Sequence, residues 1–225
     1  MSLRSLRLPL LASLLCALAA CATTGKQPEL SPATPEQRAQ ALGIWNAALE
    51  RAASLSASRL LYDAKMASGA APSVPGTLAV TYDGKAVTVA SLTGPFGSRV
   101  AEYRDGTVTG EDKRALVVDP DVLRSVLAGA WGSGSSPLSV EGCDGVQCLL
   151  AWTAEAGRGT AFVELAGGVR SMDLSGSGGH LLVGYAGEAR PWPAEITVRD
   201  MNSGRHLFLK LVAIEPIHAT GSAGR

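Results

Sequence analysis

The 225-residue sequence lacks most of the residue patterns that carry enzyme chemistry. Its three histidines, His180, His206 and His218, are not paired at the spacing of metal ligands. No serine stands between two glycines at the offsets of a nucleophile elbow, and no glycine run fits a phosphate- or dinucleotide-binding loop. These absences predict a protein that is not an enzyme and that holds no metal or nucleotide cofactor.

The charge balance gives no indication of a nucleic-acid partner. The chain has twenty basic and twenty acidic residues. Arg4 and Arg7 are the charged residues of the first 20 positions, so the remainder has 18 basic and 20 acidic groups and a net charge of −2. Nucleic-acid-binding surfaces depend on a basic surplus, and none is present.

The N-terminus has the layout of a secretory signal. Arg4 and Arg7 precede an apolar stretch of about a dozen residues, which is too short to span a bilayer. The segment Leu18-Ala19-Ala20-Cys21 resembles a bacterial lipobox. That resemblance implies a signal peptide over residues 1–20 and a Cys21 that carries a diacylglycerol and an amide-linked acyl chain such as palmitate. The alternative is a secreted protein whose mature end happens to be a cysteine.

Ala22 bears on the membrane in which such an anchor would sit. In the sorting rule of enteric bacteria, an aspartate after the lipidated cysteine favours retention in the inner membrane, and other residues favour the outer one. Ala22 therefore predicts an outer-membrane protein that is anchored by lipid and faces the periplasm.

Two cysteines remain in the body of the chain. Cys143 and Cys148 flank an Asp-Gly turn, and in an exported protein such a pair indicates a disulfide that closes a hairpin. A loop this short contributes only about 2 kcal/mol in the chain-entropy model. The alternative is a reactive thiol pair, although redox motifs normally have two residues between the cysteines and this segment has four.

The chain divides into a tether, one folded domain and a tail. Residues 21–33 have no apolar periodicity and predict a flexible tether, and residues 217–225 predict a disordered tail. Within the domain, residues 34–216, Thr34, Pro35 and Gln37 form a capping box for a helix that reaches about Ala53.

In that helix the predicted buried stripe is Leu42, Trp45, Leu49 and Ala52, with Arg51 off the stripe. A second helix is expected to begin at Asp119 and to end at Gly129.

The rest of the domain alternates with the period of β-strands and predicts a meander of about nine to eleven antiparallel strands. Three turns set the expected registers: at Asp83-Gly84, with Val80 opposite Val87; at Gly167-Gly168, with Val163 opposite Met172; and at Asp105-Gly106, with Tyr103 opposite Val108. A closed barrel, or one curved sheet wrapped around helices, satisfies this pattern.

Short motifs in a fixed order resemble those of the outer-membrane lipoprotein receptor family LolB. The segment at residues 92–100, Leu-Thr-Gly-Pro-Phe-Gly-Ser-Arg-Val, resembles the family's turn after a strand. Leu123, Leu127 and Gly129 match its Pro-x-x-x-Leu-x-x-x-Leu-x-Gly helix, and residues 192–214 match its closing strands. The resemblance covers most of residues 35–215.

This resemblance implies a fold and an activity. The fold is an incomplete antiparallel β-barrel of about 11 strands, with a helical lid over an apolar cavity (LolA/LolB-like). The activity is to bind the acyl chains of lipoproteins received from a LolA-like periplasmic carrier and to insert them into the outer membrane. The implied partners are the membrane, acylated lipoprotein cargo and that carrier, and we expect a monomer without nucleic acid.

The candidate acyl-binding residues are apolar positions on the predicted second helix and on the sheet. Each of them is equally compatible with plain core packing. They are Val80, Val87, Leu123, Val126 and Leu127.

Phe96, between Pro95 and Gly97, is the candidate membrane-insertion residue, because the family has a protruding apolar residue in this turn. From the sequence, Phe96 either projects into a membrane or folds back onto the core. Two other functions also remain open: binding of another lipid by the same fold, and scaffolding of envelope proteins through an open sheet edge.

Overall fold

The computed structural model describes residues 29–118, 120–131, 138–154, 157–176, 179–187 and 191–217. Two helices lie against one face of a single antiparallel sheet, and we call that face the inner face. The helices are α1, Pro35–Ala53, and α2, Pro120–Ala128. The strands are β1 Ser58–Ser68, β2 Val74–Tyr82, β3 Val87–Thr93, β4 Arg99–Arg104, β5 Thr107–Thr109, β6 Leu138–Cys143, β7 Gln147–Ala154, β8 Gly157–Glu164, β9 Val169–Gly176, β10 Gly179–Ala186, β11 Glu195–Asp200 and β12 Arg205–Pro216.

The sheet is open. Its strand order is β5-β4-β3-β2-β1-β12-β11-β10-β9-β8-β7-β6, so the edge strands β5 and β6 do not pair with each other. The first and last strands, β1 and β12, pair near its centre. This arrangement confirms the predicted incomplete barrel with helices, and the sheet has twelve strands where about eleven were expected.

Alternation along the strands produces one buried face. Every second side chain of a central strand points to the helices, as in β1, where Leu60, Tyr62 and Ala64 are buried while Arg59 and Asp63 face outward. The neighbouring strands repeat the pattern, so their inward residues join the helices in one core. Among the buried inner side chains are Leu78, Val80, Leu92, Leu150, Val163, Met172, Val183, Ile196, Val198, Leu207 and Leu209.

Helix α1 has the bounds and the cap that the sequence predicts. The Thr34 hydroxyl accepts from the Gln37 amide, and the Gln37 side chain accepts from the Thr34 amide. The buried face is rotated slightly from the predicted stripe: Trp45 and Ala52 are buried as expected, while Leu42 and Leu49 are only partly buried. The small residues Ala41 and Ala48 take the closest positions against the sheet.

Helix α2 ends as predicted, and its predicted first residue, Asp119, lies outside the described residues. Gly129 has φ +68°, a conformation that glycine adopts without strain, and its amide donates to the Val126 carbonyl at 3.3 Å.

One of the three predicted hairpin registers is correct. Tyr103 pairs with Val108 around the two-residue turn at Asp105-Gly106. The register at Asp83-Gly84 is wrong, because the turn contains four residues and Tyr82 pairs with Val87. A bulge follows, so Val80 lies opposite Ala90 rather than Val87.

The Asp83 carboxylate explains the wider turn. It accepts from the amides of Ala86 and Lys85, each at 2.8 Å, and these bonds hold a four-residue loop. The same donors lower the pKa of Asp83.

The register predicted at Gly167-Gly168 is also wrong. Val163 pairs with Val169 and Ala161 pairs with Met172, because the turn is longer and a bulge lies next to Val163.

The cysteine hairpin closes as predicted. Cys143 and Cys148 form a disulfide and are directly opposite each other across β6 and β7, with Cα atoms 4.1 Å apart. Asp144 shapes the turn by accepting from the amides of Gln147 and Val146, which lowers its pKa.

The segment before α1 is attached to this hairpin. Ser31 exchanges two backbone hydrogen bonds with Cys143, each of 2.8 Å, and so extends the sheet beyond β6. Ser31 falls within the predicted tether, residues 21–33, so the chain is held against the domain before residue 34. Residues 21–28 lie outside the described residues, as do the predicted signal peptide and residues 218–225 of the predicted tail.

The antiparallel topology sorts the connecting loops into two rims. The Phe96 rim contains the β1–β2, β3–β4 and β11–β12 connections, and the Ser31 rim contains the β2–β3, β4–β5 and β6–β7 turns. Phe96 and Ser31 therefore lie at opposite ends of the strands. In the described part of the chain, no helix is long and apolar enough to cross a membrane.

Two glycines provide a matched test of the packing. A Cβ at Gly159 would overlap the indole ring of Trp152, whereas Gly43 on the exposed side of α1 has no atom within 4 Å of that position. We expect Gly159→Ala to lower the free energy of unfolding by about 1–3 kcal/mol through overpacking. Gly43→Ala should raise it by about 0.5–1 kcal/mol through helix propensity. Chemical denaturation measures both, and an equal effect of the two substitutions would contradict this account.

Candidate functional site

The turn between β3 and β4 holds Phe96 outside the protein. The Gly94 amide donates to the Ser98 carbonyl at 2.8 Å, and the Gly97 amide donates to the Gly94 carbonyl at 3.3 Å. Pro95 begins a short 3-10 turn in which Phe96 has φ 60° and ψ 21°. Its side chain is fully exposed, at 107% of the reference area. Of the two placements that the sequence left open, the structure therefore has the outward one.

Other apolar side chains lie at the same rim. Val74 begins β2, which contacts the Phe96 turn, and is 44% exposed. Met201, in the β11–β12 connection, is 43% exposed. Arg99 directly follows the turn and pairs with Glu102 at 2.9 Å while its own side chain remains largely exposed. This rim thus combines exposed apolar groups with a cation.

The five predicted acyl-binding residues lie together in the core. Val80 and Val87 project from the sheet, and the other three project from α2 toward it. None of the five has more than 6% of its surface exposed, so in this conformation they pack against neighbouring side chains instead of lining an open hollow. An acyl chain would reach them only after α2 had moved. The three of these residues that project from α2 are Leu123, Val126 and Leu127.

Three polar side chains hold α2 in place. The Tyr185 hydroxyl, from β10, donates to the Val126 carbonyl at 2.9 Å. The Arg51 guanidinium, from α1, donates through Nη2 to the Ala128 carbonyl at 3.2 Å. Arg124, on α2 itself, donates through Nη2 to the Ala52 carbonyl at 3.4 Å. Helix α2, which we call the lid, is therefore attached to both α1 and the sheet by a small number of hydrogen bonds.

Aromatic rings pack around these contacts. Arg124 lies over the ring of Tyr82, 5.9 Å from its centroid, and Trp192 meets the same ring edge-on at 5.4 Å. Below α1, the rings of Trp45 and Trp152 are 5.0 Å apart. The sequence has few aromatic residues, and these four rings lie where the helices meet the sheet.

Several buried polar atoms near the lid have no partner in the described structure: Arg51 Nε, Tyr62 Oη and Trp152 Nε1. Burial lowers the pKa of Arg51, and the nearby Tyr185 raises it. Burial raises the pKa of Tyr185 well above its ordinary value, Arg51 lowers it, and Tyr62 raises it further. Burial likewise raises the pKa of Tyr62. Both phenols therefore stay protonated at neutral pH.

The histidines lie away from this interior. His180 Nε2 is 2.8 Å from Asp173 Oδ1, and His206 Nε2 accepts from Arg199 Nε at 2.9 Å. His218 lies outside the described residues. Within the described residues, no three His, Cys, Asp or Glu side chains are grouped to hold a metal ion.

The lid contacts were not predicted from the sequence. Arg51 was placed off the buried stripe of α1, yet it is half-buried against the end of α2. A cation in the last turn of a helix normally indicates a solvated partner of the helix dipole, so no local signal marks its role. Tyr185 and Arg124 also gave no signal, because their partners are 59 and 72 residues away.

The hydroxyl of Tyr185 can be removed with little change of shape. We expect Tyr185→Phe to reduce the free energy of unfolding by about 1 kcal/mol and to accelerate amide exchange in α2 more than in the central strands. Hydrogen exchange and denaturation measure the two effects. Tyr103→Phe is the control, because the Tyr103 hydroxyl has no hydrogen-bond partner among the described residues. Unchanged exchange in α2 of the Tyr185→Phe variant would contradict the proposed attachment.

Comparison with known proteins supports the fold. No family model and no curated protein matches the chain. A LolA superfamily protein from Nitrosomonas europaea is similar in structure, with a TM-score of 0.51 and 12% identity over 78% of this chain and 94% of that one. A DUF1329 family protein from Desulfovibrio piger has a TM-score of 0.44 and 10% identity, with 82% of this chain and 96% of that one covered.

A domain from Vibrio parahaemolyticus, proposed to be an outer membrane lipoprotein-sorting protein, has a TM-score of 0.46 and 10% identity over 81% of this chain and 94% of that one. The last two similarities are too distant to support an argument. The Nitrosomonas protein, at 12% identity, is evidence of a shared fold alone. The chain therefore has the LolA-like open-barrel fold.

Proposed function

We propose that this protein is a lipid-anchored protein of the bacterial outer membrane that takes up the acyl chains of lipoproteins from a LolA-like periplasmic carrier and releases them into that membrane. It acts as a monomer and without catalysis. The observation that carries the proposal is the fully exposed Phe96 at the tip of a rigid turn.

The placement of Phe96 is costly unless it has a use. Leaving a phenylalanine side chain in water forgoes about 1.5–3 kcal/mol that burial would provide. A positive φ at a non-glycine residue adds conformational strain, which persists where the surrounding structure enforces it. An aromatic ring that projects beyond the backbone gains its burial energy when it enters a membrane interface. Val74, on the strand that contacts this turn, and Met201, in another connection of the same rim, are also exposed apolar residues.

The inner face can accept an acyl chain if α2 opens. Exposing Leu123, Val126 and Leu127 would cost on the order of 5–9 kcal/mol. A chain of about 16 carbons buries methylenes worth about 0.8 kcal/mol each, on the order of 12 kcal/mol in all. Relative to a chain in water, occupation is therefore favourable although the resting lid is closed; a bilayer buries the same methylenes, which permits release there.

The anchor and Phe96 can contact one membrane. Nine residues lie between Cys21 and Ser31, which fixes the chain at the opposite rim. This segment reaches at most about 35 Å when extended. The strands between the two rims range from the eight-residue β7, about 26 Å, to the twelve-residue β12, about 40 Å. The reach of the segment is thus comparable to the distance between the rims, so in this proposal Phe96 can face the bilayer that holds the lipid on Cys21.

The sheet edges give less support to a scaffolding role. Strand β5 has three residues, and Ser31 pairs with β6 at Cys143. Short or covered edges offer few backbone groups for a partner strand.

Phe96→Glu tests the proposal. A carboxylate at the tip would not enter the interface, so we expect transfer of lipoprotein from carrier to liposomes to fall by about tenfold or more, with an unchanged melting temperature. Val146→Glu is the matched control, because Val146 is 68% exposed at the tip of a turn on the opposite rim. Transfer by Phe96→Glu equal to that by the control variant would refute the role of this turn in release.

A further inference from the structure

Arg51 has a charge that the described protein does not neutralise. Its Nη2 donates to the Ala128 carbonyl, its Nε has no partner, and no carboxylate in the described residues lies within ion-pair distance. Several other arginines do pair with carboxylates. They are Arg59, Arg99, Arg104, Arg170 and Arg205.

The guanidinium lies on the wall of a cleft of about 480 Å³. The cleft is bounded by the end of α2 at Gly129, by Tyr185 and Pro193, and by the β8–β9 turn. Its other charged groups are Arg170 and Glu164, which form an ion pair of 3.6 Å with each other. The net charge of the cleft is therefore positive and comes from Arg51.

An unpaired and partly desolvated cation is unfavourable unless an anion joins it. Guanidinium groups bind carboxylate and phosphate oxygens through two parallel N–H donors, and here the unpartnered Nε–H is one donor. Burial lowers the pKa of Arg51, but arginine stays protonated at any physiological pH. The cleft thus has the charge of an anion site, and an unpartnered donor of the same guanidinium is buried beside it.

The cleft also adjoins the apolar interior. Tyr185 lines it and donates to the carbonyl of Val126, whose side chain is fully buried beneath α2. Leu127, the next residue, is also fully buried. Tyr185 therefore connects the cleft with the segment of α2 whose side chains are buried.

We propose that this cleft binds the anionic head group, a carboxylate or a phosphate, of an acyl amphiphile, with Arg51 as the ligand. The direction of the acyl chain rests on the function proposed above. An anion can take the Nε–H and an Nη–H of Arg51 while another Nη–H keeps its bond to the Ala128 carbonyl. Head-group binding and the attachment of α2 therefore use the same side chain.

Matched lipids test this site. The protein is the chain from residue 21 onward carrying Cys21→Ser, which prevents its own acylation. The probes are palmitate, its methyl ester, lysophosphatidic acid with the same chain, and inorganic phosphate, with binding followed by tryptophan fluorescence and calorimetry. We expect palmitate or lysophosphatidic acid to bind about tenfold or more tightly than the methyl ester. The anionic probe whose affinity exceeds that of the methyl ester by the larger factor identifies the head group.

Substitution of Arg51 assigns the preference to the cleft. Arg51→Gln should remove the difference between palmitate and its methyl ester and leave binding of the ester in place. Arg38→Gln, on an exposed position of the same helix, should retain the difference. Arg51→Lys keeps the charge but not the paired donors, so it should retain part of the preference for the anion. Thermal unfolding of each variant controls for loss of structure.

The outcomes separate this inference from the function on which it rests. Equal binding of the ester and the anions, or a preference that survives Arg51→Gln in a folded protein, overturns the anion site while acyl binding stands. Absence of binding by every acyl probe overturns the proposed function as well. Binding of inorganic phosphate as tight as that of lysophosphatidic acid overturns the lipid head group as the occupant.

Discussion

The burial of α2 against the inner face is the interaction on which the rest of the structure depends. The helix lies in the connection between the two edge strands, β5 and β6, and its apolar residues cover inward side chains that the open sheet would otherwise leave in water. Because the barrel does not close on itself, the core exists only as long as the helices cover it. The same element that completes the core is therefore the element that must move for a ligand to enter.

Few bonds restrain that movement. The lid is held to α1 through Arg51 and Arg124. It is held to the sheet through Tyr185 and through the Tyr82 hydroxyl, which accepts from Arg124 Nε at 3.4 Å. Hydrogen bonds of this kind contribute about 1 kcal/mol each, so the apolar contacts supply most of the closing free energy. An acyl chain can replace those contacts with its own methylenes, which makes an exchange between closed and occupied states thermodynamically reasonable.

In the proposed function, Phe96 and Arg51 would serve different steps. Phe96 lies at one rim on a turn held by its own backbone bonds, while Arg51 lies at a cleft between the helices and the β8–β9 turn. The first suits contact with a bilayer and the second suits contact with a charged head group. The pairing of Ser31 with Cys143 fixes where the N-terminal segment joins the domain relative to both.

Local features of the fold follow from the sequence because their causes lie within a few residues. The capping box at Thr34, the end of α2 at Gly129, the two-residue turn at Asp105-Gly106 and the pairing of Cys143 with Cys148 all depend on neighbours in the chain. The alternation of apolar residues also predicts an antiparallel sheet with one buried face beside two helices, while the incomplete barrel was implied by the resemblance to the LolB family.

The sequence by itself thus determined the fold class, the helix ends and the disulfide hairpin, and it located Phe96 in a turn. Only the structure decided the registers at Asp83 and Gly167, because each depends on a wider turn and a bulge that the apolar alternation does not specify. It alone showed that Phe96 points outward. It alone showed that Arg51 is half-buried and lines a cleft, because the carbonyl that it contacts is 77 residues away in the chain.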